Sequence, residues 1–312
     1  MLPYGAYKDD NKGFRHSIDK CIVDYRLNSG FTFTEFLDFF SSLSSFCFVS
    51  ERGADGYNSY FDKPPCSAYQ WFQSSFWFPH CNVKLGFYYG RTWKDEKSEW
   101  KFKDLIRVEF NPNKVFQDST FNFLMQAIKR FFKRGVLVEV DYAVDVPFRC
   151  SQIVTQSRMN KVIYNDSRYY GKRHEHRRLK VYNKKREVHD KEKIELSNDL
   201  TRCEITFRGS CDIDYFSCFL SSGASSCKLS KNLQSIADLL FLLSSYGEDI
   251  EELLKRYVPD KRNRDMLEPA LFGERIVVFD FVYFYNILSF YCDVYNFAYL
   301  FTGPLGQAYG WK

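Results

Sequence analysis

Four segments in the middle of the chain alternate apolar and polar residues with a period of two, a pattern that fits an extended strand with one face toward a core. In the first, Ile106, Val108 and Phe110 oppose Arg107, Glu109 and Asn111, and Pro112 ends the run. The second sets Val138, Val140, Tyr142, Val144 and Val146 against Glu139, Asp141, Ala143 and Asp145 before Pro147. A third opposes Leu179, Val181 and Asn183 to Arg178, Lys180, Tyr182 and Lys184. The fourth opposes Cys203, Ile205 and Phe207 to Arg202, Glu204, Thr206 and Arg208, closing at Gly209. Strands that sort their side chains this way form sheets with one dry face, so the expected fold class is α+β: a mostly antiparallel sheet packed on helices, with a C-terminal helical region.

Helices to cover that face are available. Residues 34–46 form one candidate, and 119–134 another, with Ser119 as N-cap, Leu124, Ile128 and Phe131 on one stripe, and Gly135 placed to stop it. Residues 82–93 read as a further strand, paired through the charged turn at 95–99 with the one beginning at Leu105, and residues 16–27 as one more. After Gly209 the pattern turns helical, over 232–245, 249–257 and 277–301, with 258–269 as a linker. The expected division is a sheet-bearing domain over 1–209 and a helical region over 210–312.

A chain of 312 residues buries an ample core without staples, and its ten cysteines show no C-x-x-C pair, so they read as free thiols. The amino terminus carries charges where a signal peptide needs an apolar run, and Asp280, Asn286, Asp293 and Asn296 interrupt the apolar stretch near the carboxyl end. The expectation is a cytoplasmic protein with no membrane partner. A net charge of +5 is modest, so a polyanionic partner requires the cations to be concentrated.

They are concentrated between Arg168 and Lys193. There Tyr169, Tyr170, Lys172, Arg173, Arg177, Arg178, Lys180 and Lys185 combine cations that track phosphates with rings on which unpaired bases stack, the usual means of holding single-stranded nucleic acid. The alternative is an exposed charged hairpin. His174-Glu175-His176 has a charged middle residue in a turn-like segment, which favours a solvated or phosphate-contacting role over metal ligation. If the strands share a sheet, one surface gathers Glu109, Asp141, Asp145, Arg178, Lys180, Tyr182, Lys184, Arg202 and Glu204. Two readings fit that surface: a divalent-metal site serving phosphate chemistry, or a solvated face laced with ion pairs. Tyr182, flanked by Lys180 and Lys184 on one strand face, is expected to lose its proton more readily than a free phenol.

The run YYGKRHEHRRLKVYNKKRE followed by LTRCEITFRG resembles the core of the trans-acting replication initiators of Gram-positive rolling-circle plasmids and related phages, and LIRVEFNPNK and VDYAVDVPF look like that family's two upstream acidic strands. The matched segments run from about residue 105 to 209. The chain departs from the family pattern in Lys180, where arginine is frequent two residues before the tyrosine, and in Cys203 between Arg202 and Glu204. The resemblance implies a site-specific nicking-joining endonuclease, with relaxases of integrative elements sharing the pattern. Carried onto this chain, it makes Tyr182 the nucleophile that stays joined to the 5′ phosphate, with Lys184, Arg202 and Lys180 balancing charge on the transition state. Glu109, Asp141 or Asp145, and Glu204 would hold Mg²⁺ or Mn²⁺. The partners implied are single-stranded or hairpin origin DNA, with a host helicase and a second copy of the chain as further candidates. A non-catalytic nucleic-acid-binding module is the competing class.

Overall fold

The computed structural model describes residues 8–9, 13–44, 50–52, 74–78, 82–88, 91–94, 100–102, 105–157, 159, 161–165, 167–172, 177–209, 217–221, 229–244, 246–272 and 275–299. In chain order the elements that frame the site are β1 (Arg15–Arg26), α1 (Phe33–Ser44), β2 (Val83–Tyr88), β3 (Leu105–Phe110), α2 (Ser119–Phe131), β4 (Gly135–Val146), β5 (Lys161–Tyr164), β6 (Ser167–Tyr170), β7 (Arg177–Asn183), α3 (Lys184–Glu192) and β8 (Thr201–Arg208). They are followed by α4 (Lys231–Ser244), α5 (Ile250–Tyr257), α6 (Lys261–Phe272), α7 (Phe281–Val294) and β9 (Phe297–Ala298).

The four alternating segments do share a sheet. Its strands run in the order β5-β6-β7-β8-β4-β1-β3-β2 and continue through Ser74–Phe78 to Ser50–Arg52, with Lys8–Asp9 on β1. All these pairs are antiparallel; β9 alone joins in parallel, on the first residues of β4. The α+β class with an antiparallel sheet and several helices is therefore what the chain adopts.

The apolar face carries the main core. Tyr25, Val108, Phe110, Tyr142, Ile205 and Phe207, all 1% exposed or less, meet Phe36 of α1, Phe121 and Ile128 of α2 and Phe284 of α7. Burying one such side chain contributes roughly 1.5–3 kcal/mol, and truncating Phe36, 0% exposed with Phe132 in edge contact at 4.7 Å between centroids, would cost about 3–5 kcal/mol. A second cluster joins Val154 to Leu240, Leu253 and Leu267 of α4, α5 and α6. The stretch after residue 210 thus enters both clusters: α4 to α6 make the second, while α7 and β9 return to the first.

Several boundaries differ from expectation. Helix α2 is capped by Asp118, whose carboxylate accepts the Phe121 amide at 2.7 Å, and not by Ser119. It ends at Phe131, and Gly135 opens β4 instead of stopping the helix. A Cβ at that glycine would lie 2.6 Å from the Tyr25 ring, so only glycine lets β4 cross there. The strand expected over 82–93 is divided: β2 pairs with β3, while Arg91–Lys94 pairs with Trp100–Phe102. The 258–269 linker is mostly α6, capped by Asp260, which accepts the Asn263 amide at 2.8 Å. The apolar carboxyl-end stretch forms α7, buried at Phe284, Leu288 and Tyr291. Among the described residues no helix is long and apolar enough to cross a membrane, and Cys21, Cys150, Cys203 and Cys292 are free thiols.

Candidate active site

The polar face of the sheet is ordered in rows set by strand register. One row reads Tyr182, Arg202, Asp145, Arg15 across β7, β8, β4 and β1; the next places Tyr169, Lys180, Glu204 and Ala143 across β6, β7, β8 and β4; a third holds Arg178, Thr206, Asp141 and Lys20. Directly opposed side chains on one face lie within contact distance, which is why opposite charges pair along these rows.

Every carboxylate named for a metal has a cation of its own. Asp145 receives both Nε and Nη2 of Arg202 at 2.6 Å, and Arg202 also binds Asp19. Asp141 binds Lys20 at 2.8 Å, Lys20 binds Glu139 at 2.5 Å, and Glu139 binds Arg208. Glu204 binds Lys180. Glu109 binds Lys84 at 2.8 Å on β2, and lies four strands from Tyr182, about 19 Å away at the usual strand spacing. Glu109 therefore stands apart from Asp141, Asp145 and Glu204, and among the described residues no group of three or more His, Cys, Asp or Glu side chains is placed to hold a cation. Glu109 Oε2 and Asp141 Oδ1 are buried with no hydrogen-bond partner among the described residues, but they stand two strands apart, about 10 Å at the usual strand spacing.

Tyr182 stands at the end of that network. Its hydroxyl faces Glu204 Oε2 at a slack 3.4 Å, with Arg202 opposite it in register. Contrary to the expected acidic phenol, Tyr182 is pushed well above the ordinary tyrosine range, first by burial and then by the charge of Glu204, with Glu187 and Asp19 adding to Glu204 and Arg202 opposing. Burial and repulsion from Asp141 push the Glu204 carboxyl up, against Lys180. Burial also acts to raise Asp141, but Lys20 and Lys180 outweigh it and hold that carboxyl down. The pair Tyr182–Glu204 is a protonated phenol beside a carboxylate more basic than usual.

The tyrosine opens on a groove of about 680 Å³ lined by Tyr164, Tyr169, Arg178, Lys180, Arg186 and Lys191 among others. The Arg178 guanidinium lies 5.1 Å from the centre of the Tyr169 ring, and its Nε has no partner among the described residues. Tyr164 is 69% exposed. Of the residues expected on a strand-binding surface, Tyr169, Arg178 and Lys180 line this groove, joined by Tyr164, Arg186 and Lys191.

Lys184 and Tyr170 stand where their expected roles do not fit, and Arg177 and Lys185 lie away from the groove. Lys184 leaves the strand: Asn183 caps α3 by accepting the Arg186 amide at 3.0 Å, so Lys184 opens the helix and binds Glu187 at 2.8 Å instead of flanking Tyr182. Tyr170 turns to the apolar face, 2% exposed with its hydroxyl on Asp238 at 2.7 Å, and cannot stack on a base. Arg177 shares the face of Leu179 and Val181, opposite that of Tyr182. Lys185 reaches the Ser197 carbonyl at 3.3 Å, outside the groove lining. Lys172 is exposed, and Arg173, His174 and His176 lie outside the described residues. Sequence reasoning missed Asp19 and Lys20 on β1, Tyr164 on β5, and Arg186 and Lys191 on α3. The signal for α3 was present, since Asn183 followed by KKREVHDKE is an N-cap before good helix formers.

Compared with known proteins, the chain matches no family model. It is 31% identical over 124 residues to a curated Staphylococcus aureus protein named Replication initiation protein, an alignment that takes in 36% of this chain and 39% of that relative. Among solved structures, a rolling circle replication initiator protein from Geobacillus stearothermophilus covers 91% of this chain and 98% of its own, at 12% identity and a TM-score of 0.33, too low to equate the two folds. The resemblance read from the motifs thus has a counterpart in sequence: over about a third of its length, this chain is similar to a replication initiation protein.

Proposed function

We propose that the chain is a rolling-circle replication initiator that cuts one DNA strand with Tyr182 and remains attached to it. The observation that carries this reading is the Tyr182 hydroxyl held against Glu204 at the wall of a groove lined with cations and aromatic rings. The kinship with a replication initiation protein supports it over the matched third of the chain. Single-stranded or hairpin origin DNA would lie along Arg178, Lys180, Arg186 and Lys191, with a base on Tyr169 or Tyr164. The Tyr182 oxygen attacks the phosphorus as its proton passes to Glu204. The bond from phosphorus to the 3′ oxygen breaks, that oxygen leaves as a 3′ hydroxyl on taking up a proton, and the 5′ phosphate stays on Tyr182. Glu204, whose carboxyl burial and the charge of Asp141 push up, is the group placed to accept that proton. Arg202, fixed by Asp145 and Asp19, places positive charge beside the developing charge.

The test is incubation with single-stranded origin DNA in Mg²⁺ or Mn²⁺, followed by denaturing electrophoresis. A covalent adduct is expected from the native protein and none from Tyr182→Phe; an adduct in the Phe variant would overturn the assignment. A second reading, a non-catalytic nucleic-acid-binding module, draws on the complete ion pairing of the acidic face and the raised Tyr182 phenol. It predicts strand binding with no adduct under any of these conditions.

A further inference from the structure

A second cavity, of about 530 Å³, adjoins the tyrosine groove, and Asn165 and Asn183 line both. Its walls are apolar at Phe148, Ile163, Leu200 and Leu229. Gln234 of α4 also lines it, 4% exposed; its amide nitrogen donates to the Ile153 carbonyl at 3.0 Å and to Asp238 at 3.1 Å, which leaves the side-chain oxygen buried with no partner among the described residues. A buried acceptor in that condition calls for an N–H donor. Lys231, at the amino end of the 14-residue α4, and Arg149, bound to Asp199 at 2.7 Å, stand among the lining residues, where helix end and cations suit a phosphate. Apolar walls, one buried acceptor and a cationic edge, in a volume inside the range of about 300–1,000 Å³ usual for small-molecule sites, match a nucleotide whose base presents an N–H donor.

We infer that this cavity receives one unstacked nucleotide of the strand whose phosphate lies at Tyr182, an inference that rests on the function proposed above. The strand passes the shared Asn165 and Asn183 edge, stacks one base in the tyrosine groove and turns another into the second cavity. The exocyclic amino groups of adenine, cytosine and guanine, or the ring N3–H of thymine, supply the donor from which Gln234 Oε1 accepts. The cavity is thus a base-binding subsite, separate from the reacting atoms.

The experiment is an abasic scan of fluorescence-anisotropy binding, using a single-stranded oligonucleotide selected by the full chain from a random pool. Loss of one base outside the positions sensitive to Tyr169→Ala is expected to weaken binding about tenfold, the effect of losing one well-held base. In Ile163→Trp, which fills the cavity from β5, the same abasic change has no further effect while the Tyr169-dependent positions keep theirs. Leu200→Trp, from another wall, serves if circular dichroism shows Ile163→Trp misfolded. A scan with no such position, or one whose loss persists in both filled variants, overturns the inference. Because the scan reads binding alone, failure of the cutting reading is seen separately, as a missing Tyr182 adduct with the scan intact.

Discussion

The strands β6 to β8 use the same chemical kit on their two faces. On the apolar side Tyr170 donates to Asp238 at 2.7 Å, and that carboxylate also takes Lys161 at 2.6 Å, Arg168 at 3.4 Å, the Thr155 amide and the Gln234 amide. On the polar side Tyr182 faces Glu204 at 3.4 Å, with Lys180 on the same carboxylate and Arg202 alongside. Both phenols are pushed above the ordinary range, in each case first by burial. What separates them is saturation and access. Asp238 is filled by donors and Tyr170 is sealed at 2% exposure, so that triad ties α4 to the sheet. Tyr182 keeps a loose partner and opens on a groove, so its proton has somewhere to go and its oxygen something to meet.

The sharpest way to break that comparison is to remove the two hydroxyls in turn. Tyr182→Phe is expected to abolish the covalent DNA adduct while leaving urea stability within about 1 kcal/mol of the native value. Tyr170→Phe is expected to keep the adduct and lose about 1–2 kcal/mol in urea, the cost of a lost buried hydrogen bond. An adduct that depends on Tyr170, measured where the variant is folded, would reverse the roles. The carboxylates should divide the same way. Asp238→Ala strands Arg168, 5% exposed, in the interior and is expected to cost about 3–5 kcal/mol in urea. Glu204→Gln relieves the repulsion from Asp141 and leaves Lys180, 21% exposed, free to reach water, so its stability change should stay within about 1 kcal/mol while adduct formation falls.

How much of this was legible in the sequence depends on whether a residue obeys a simple period. β3, β4, β7 and β8 alternate cleanly, so their pairing faces, the apolar core and the placement of Glu204, Arg202 and Tyr182 together could be read directly. β1 could be read only as a strand, because its register shifts between Ile18 and Lys20 and again between Ile22 and Val23. Those irregularities bring Asp19 and Lys20 onto the polar face, where they occupy Arg202 and Asp141, and no alternation rule exposes that. Lys184 was misplaced because period two was carried one residue past the Asn183 cap. Tyr169 and Tyr170 look equivalent in sequence; only the register of β6 on β7, with Tyr169 opposite Lys180 and Tyr170 opposite Leu179, separates the stacking ring from the core ring.

That separation gives the next prediction. Tyr169→Ala removes a half-buried ring from beneath Arg178 and should weaken single-strand binding by about 1–3 kcal/mol, measured by anisotropy at fixed salt. Tyr170→Phe should leave that affinity unchanged. Equal losses from both would mean that the groove is shaped by the core and not by its own ring.

The smallest expected effect distinguishes the groove side in acid. Burial acts to raise the Glu187 carboxyl, but hydrogen bonds and charge from Lys184 and Lys191 overcome it and bring the group to about 2. Its folded value lies below the ordinary unfolded value of about 4.3, so the stability it contributes is complete above that value and is lost as pH falls toward 2. Urea unfolding of the native protein and of Glu187→Gln, compared at about pH 6 and about pH 3, should show a difference that shrinks at the lower pH. A difference independent of pH would mean that the two lysines do not hold α3 through this carboxylate, and that the groove wall carrying Arg186 and Lys191 is set by the Asn183 cap and the Leu200 carbonyl, which accepts the Lys184 amide at 2.9 Å.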